Sequence, residues 1–217
     1  MSEIHLFILW ENARAFQEKI LDDIASHFTI LKKYEVTWTP SLVVSNYTRF
    51  CGARLGNNLQ FKIDNCGTGE FLVVVVRDET PTYETKQTFH GLADVNIKMF
   101  EAKQRYREWT GGGIKVHATD NILETRHDII LIIGKPIEYF EKLAPQQTTE
   151  ILHKDLEGAN GWESREQFLL VLKNIAPFVT KVEPDDIWLI LNCPSIFRVV
   201  GFVRRCFRKL AKICRFK

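Results

Sequence analysis

The run Phe71-Leu-Val-Val-Val-Val76 sets the tightest limit on what this chain can fold into. Six consecutive apolar residues, four of them β-branched, stand between Gly69 and Asp78 and read as a strand. A strand that is apolar on both sides has no face to give to water, so both faces of its sheet must be covered. With amphipathic helices before and after it, the run points to an α/β layer architecture: a mixed or parallel sheet flanked by helices.

The flanking segments supply those layers. His5 to Trp10 is a second apolar run, followed by a helix over Glu11 to Phe28 with Ala13, Phe16, Ile20, Ile24 and Phe28 near one face. Tyr34 to Trp38 predicts a strand closed by Pro40, and Thr82 to Thr88 another. Val95, Met99, Ala102, Tyr106 and Trp109 recur at steps of four and three and predict a helix over Ala93 to Trp109, supported by the Glu101–Arg105 spacing. The glycines Gly111 to Gly113 stop it. Ile114 to Ala118 reads as a strand, and Thr119 or Asp120 caps a helical turn containing Glu124. Ile129 to Ile133 fits a strand by composition and a helix by the spacing of Ile122, Ile129 and Ile133; the strand is preferred. Ile137 to Leu143 predicts a short helix, Pro145 to Trp162 a polar loop and Ser164 to Ile175 a helix. The expected organisation is an α/β domain over 1–150, a loop with a helical extension over 151–186, and a separate tail over 187–217.

That tail is electrically unlike the rest. Of 29 Lys and Arg in the chain, eight lie in residues 187–217 and none of the 27 acids does, so the body holds 21 basic against 27 acidic residues, a charge of −6 beside a tail of +8. On a helical projection Ile196, Val199, Val200, Val203, Phe207, Leu210 and Cys214 share one side, while Arg198, Arg204, Arg205, Arg208, Lys209, Lys212 and Arg215 take the other. A basic amphipathic helix of this kind lies on an anionic membrane surface without crossing it. Packing on the protein's own body is the second reading, and nucleic acid the third, since no nucleic-acid fold accompanies the helix. Asn192, Pro194 and Arg198 interrupt the apolar stretch Ile187 to Val203, so no transmembrane span is predicted. Met1 to Trp10 lacks a basic start and a small-residue cleavage site and reads as a strand, not a signal peptide. Five cysteines in no ligand or disulfide spacing read as reduced thiols, which together with the tail predicts a cytoplasmic protein held peripherally at the inner membrane.

The residues chemistry would use concentrate between Trp109 and Asp128. Gly111, Gly112 and Gly113 allow backbone N–H groups to approach an anion, and Lys115 adds charge, a combination suited to phosphate although it matches no phosphate-loop motif. His117, Glu124, His127 and Asp128 offer a general base with a carboxylate to orient it, or alternatively ligands for a metal. Glu124 and Asp128 share a face only if residues 124–128 are helical; if Ile129 begins a strand, His127 and Asp128 stand at its mouth. The acid–base reading is preferred, with no metal and no cofactor assigned. The loop Asn65-Cys-Gly-Thr-Gly69 reads as a turn before a strand, and Arg49, Arg105 and Arg107 are candidate anion contacts. Serine-hydrolase, zincin and Asp-x-Asp motifs are missing from the sequence.

Three blocks, His5-Leu-Phe-Ile-Leu-Trp-Glu-Asn-Ala-Arg14, Lys103-Gln-Arg-Tyr-Arg-Glu-Trp-Thr-Gly-Gly-Gly113 and His153-Lys-Asp-Leu-Glu-Gly-Ala-Asn-Gly-Trp162, resemble a poorly characterised bacterial family associated with surface-polysaccharide loci. The similarity spans about residues 4–175 and implies work in capsule or lipopolysaccharide biosynthesis. Some members continue into a nucleotidyltransferase-like domain where this chain has its basic tail. Ile114 stands where the family has a histidine, so no active site is carried over. Together these readings predict a peripheral membrane transferase acting on a phosphorylated or nucleotide-activated sugar, with other polysaccharide-assembly enzymes as candidate partners. The competing expectations are a non-catalytic membrane-recruiting adaptor and a nucleotide-dependent kinase.

Overall fold

In a computed structural model, residues 2–39, 42, 43, 46, 47, 59–88, 91–146 and 148–154 are described. In chain order the elements are β1 (Glu3–Leu9), a 3₁₀ turn (Glu11–Phe16), α1 (Gln17–His27), β2 (Thr29–Trp38), α2 (Leu59–Cys66), β3 (Phe71–Asp78), β4 (Tyr83–Thr88), β5 (Gly91–Asn96), α3 (Ile97–Trp109), β6 (Val116–Ala118), α4 (Ile122–Ile133), α5 (Ile137–Glu141) and β7 (Thr149–Lys154).

The apolar run lies at the centre of a mixed five-stranded sheet, order β6-β1-β3-β2-β7, in which β2 and β7 are parallel and the other pairs antiparallel. Leaving aside the β4–β5 hairpin, β1-α1-β2-β3-α3-β6 is a βαββαβ unit with each crossover spanning one intervening strand, the split βαβ arrangement of ferredoxin-like folds. α4, α5 and β7 extend it.

Strand alternation sorts the side chains into two cores. Phe7, Leu9, Leu72, Val74 and Val76 pack with Ile20 and Ile24 of α1 and Met99, Ala102 and Tyr106 of α3. Leu6, Ile8, Tyr34, Val36, Val73 and Val75 pack with Ile129, Ile132 and Ile133 of α4 and Ile137 and Phe140 of α5. The sheet is thus a middle layer with helices on both faces, as the Phe71–Val76 run requires.

Several boundaries differ from expectation, each for a physical reason. Ile129 to Ile133 is the end of a helix, not a strand. Asn121 Oδ1 accepts from the Leu123 and Glu124 amides at 3.0 Å, and Gly134 closes the last turn at φ 74° with its N–H to Ile130 O. Residues 129–133 are apolar all round because this half of α4 is buried. Ala93 to Asn96 belong to the β4–β5 hairpin, and α3 begins only at Ile97, where Asn96 Oδ1 caps the Lys98 and Met99 amides. The segment Glu11 to Phe28 opens as a 3₁₀ turn before α1. The stretch placed in a loop from Pro145 contains β7, whose backbone pairs with Lys33–Trp38 of β2 although its sequence is polar. The predicted helix Ser164 to Ile175 and the whole tail over 187–217 lie outside the described residues. Among the described residues no helix is long and apolar enough to cross a membrane.

Candidate active site

β6 is only three residues long but is fixed tightly. The Trp10 amide donates to Lys115 O and the Thr119 amide to Leu6 O. The outward carbonyls of Val116 and Ala118 accept from Arg107 Nε at 2.9 Å and Lys103 Nζ at 3.3 Å. Val116 and Ala118 point into the α1–α3 core. By alternation His117 points the other way, toward α4, where Glu124 and Asp128 stand one helical turn apart.

Four candidate residues therefore converge. His117 Nε2 lies 3.0 Å from Asp128 Oδ2 and 3.8 Å from Glu124 Oε1, and His127 Nδ1 lies 2.8 Å from Asp128 Oδ1. Asp128 is buried, with its side chain 3% exposed, while His117, His127 and Glu124 are half-buried. Burial opposes ionisation of Asp128, but the hydrogen bonds from His117 and His127 outweigh it and hold the carboxyl below its ordinary range. Glu124 moves the opposite way. Burial raises it, and the charges of Asp128 and Asp120 add to that rise against the pull of His117. Its Oε2 accepts from the Asp120 amide at 2.6 Å, and Asp120 is paired with Lys103. Two carboxylates one turn apart are thus pushed toward opposite protonation states, the pattern from which acid–base pairs are built. The helix, not the preferred strand mouth, places His127 and Asp128.

The glycine segment is arranged differently. Gly111, Gly112 and Gly113 all have positive φ, near 80°. The Gly111 amide donates to Glu108 O and the Gly112 amide to Arg107 O, closing the end of α3. A Cβ on Gly113 would meet Asn65 Oδ1 at 2.2 Å. Lys115 Nζ donates to Thr110 O at 2.6 Å, Arg107 to β6, and Arg105 pairs with Asp23 at 2.6 Å. Arg49 lies outside the described residues. The loop before β3 holds an anion of the protein's own: the Thr68 and Gly69 amides donate to Glu11 Oε2 at 2.9 and 2.7 Å.

A second polar cluster sits behind the first. His5, fully buried in β1, lies 3.2 Å from the hydroxyls of both Thr119 and Thr125 through Nδ1, and 3.2 Å from Glu3 Oε2 and 3.3 Å from Asn96 Nδ2 through Nε2. Asn96 continues to Asp78, which also takes Lys98 Nζ at 2.9 Å. Thr125 donates to Thr119 at 2.8 Å, so this cluster ties β6 to α4 one turn from Asp128. Its one sequence signal is a histidine inside an apolar strand.

No protein-family profile matches the chain, and no match is found among characterised proteins. Among solved structures, the Aquifex aeolicus nucleoside diphosphate kinase aligns with 59% of this chain and 93% of its own, at 16% identity and a TM-score of 0.39. A likeness of that size defines neither a common fold nor a common activity.

Proposed function

We propose that the protein is a transferase acting on a phosphorylated or nucleotide-activated sugar, held at the membrane surface by its basic tail, with His117, Glu124, His127 and Asp128 as its reaction centre. The observation that carries this reading is the convergence of four chemically competent side chains from β6 and α4 on one partly open cluster. Transfer to a hydroxyl needs a proton acceptor and compensation of the charge on the departing phosphate. His127 is the more exposed imidazole, 28% against 18% for His117, and Asp128 orients it. It is the group assigned to the acceptor hydroxyl. His117, Glu124 and Asp128 form the inner part of the cluster, against which the reacting phosphate would sit.

The test is turnover of sugar-nucleotide and sugar-phosphate donors with lipid-linked acceptors by the full chain. His127→Ala and His117→Gln should each cost about 10²–10⁴-fold in rate with the melting temperature little changed, while Arg126→Ala, which breaks only the surface pair with Glu138, should be neutral. Equal rates in parent and both histidine variants would remove the cluster from the reaction. No turnover of any donor, with vesicle binding retained, would point to the non-catalytic adaptor.

A further inference from the structure

We propose that His117, Glu124 and Asp128 are the protein ligands of a single divalent cation of the Zn²⁺ or Mn²⁺ class. Its role in turnover rests on the reading of this cluster as the reaction centre; its binding does not. The three donor atoms come from two elements that the fold holds together, the middle of β6 and successive turns of α4, and all lie within 4.8 Å of one another. Ligands about 2.0–2.2 Å from a shared Zn²⁺, at angles between a right angle and the tetrahedral value, stand roughly 3.0–3.6 Å apart. The His117–Asp128 separation of 3.0 Å falls within that interval, and the His117–Glu124 separation of 3.8 Å lies just above it.

The longer distance is the informative one. At 3.8 Å Glu124 Oε1 makes no hydrogen bond with His117, yet Glu124 offers a ligand atom within 4.8 Å of those of both His117 and Asp128. A His–Asp dyad would not need that third group, whereas a cation would. Charge supports the same conclusion. Among the described residues the ion pairs of Glu124 and Asp128 are with histidines alone. Of the permanent cations nearby, Lys103 is paired with Asp120 and Arg126 with Glu138, and Arg107 donates to Val116 O. One imidazole and two carboxylates, neither carboxylate in an ion pair with a lysine or arginine among the described residues, form a donor set that suits Zn²⁺ and Mn²⁺.

The outer oxygens are also fixed as they are in built metal sites. Glu124 Oε2 is held by the Asp120 amide at 2.6 Å, with Asp120 itself anchored by Lys103, and Asp128 Oδ1 is held by His127 at 2.8 Å. Each carboxylate therefore presents one oxygen inward and spends the other on its support. Three protein ligands with a partly exposed rim, rather than four closing the sphere, is the arrangement of cation sites that keep a position for a water or a substrate oxygen. A phosphate oxygen of the sugar donor is the group that would take it.

Metal-free full-length protein, stripped with chelator, is titrated with Zn²⁺ and separately with Mn²⁺ by calorimetry, and with Co²⁺ by visible absorption. The expected result is one high-affinity site, a melting temperature raised by the metal, and the intense visible bands of low-coordinate Co²⁺. Glu124→Gln and His117→Gln, checked by circular dichroism to be folded, should bind at least about 10–100-fold more weakly and lose the Co²⁺ spectrum. No binding by the parent, or binding and spectra unchanged in both folded variants, overturns the proposal. Binding without turnover would sink the transferase reading and leave the cation site standing; turnover without binding would do the reverse.

Discussion

Glu11 shows how a single side chain can decide what a glycine loop is for. Its carboxylate accepts from the amides of Thr68 and Gly69, and a Cβ on Gly67, at φ +81°, would come within 2.2 Å of it. Gly67→Ala should therefore destabilise the fold by at least about 1–2 kcal/mol from the backbone alone, measurable by urea unfolding. Asp78 gives a prediction with a pH sign. Burial disfavours its charge, but Asn96, Lys98 and the Thr80 amide outweigh that and hold it below 3.8, its ordinary value. Its contribution is complete above the unfolded value and lost as pH falls through the lower folded one. Acid unfolding of Asp78→Asn should accordingly be flatter than that of the parent below about pH 5. At this scale the reaction-centre side chains are legible because they crowd into one short segment, 117 to 128. The His5 cluster is not legible, since its partners come from residues 3, 96, 119 and 125 and only the sheet register brings them together.

α4 is the element on which the site depends, and its ends define it. Asn121→Ala removes the acceptor of two amides and should cost about 0.5–2 kcal/mol. Gly134→Ala forces a side chain onto φ 74° and should cost a further 1–2 kcal/mol or so; thermal unfolding measures both. Because Glu124 lies in the first turn, the Asn121 variant should loosen the site more than the Gly134 variant does. The sequence of this helix misleads for an identifiable reason. Its second half, Ile129 to Ile133, is buried all round and carries no polar face to reveal a helical period, so composition alone favours a strand. The cap itself is Asn121 and not the expected Thr119 or Asp120, and Gly134 ends the helix. β7 fails in the opposite sense: Thr149–Lys154 has little strand-like composition and is held by parallel pairing to β2, a long-range partner that no local window contains.

For the molecule as a whole, the division of charge makes its own prediction. A body of −6 and a tail of +8 should part company on vesicles of anionic lipid: the full chain should sediment with them, a variant ending at residue 186 should not, and raised salt should release the former. With each basic residue contributing about 1 kcal/mol near such a surface, eight are enough for a clear difference. Equal sedimentation of the two would remove the membrane from the account. The position of β1 has a different consequence. This strand is hydrogen-bonded on one side to residues 72–78 and on the other to residues 116–118. Both edges of this greasy segment are therefore satisfied only by distant stretches of chain, and pairings of such long sequence separation are slow to form.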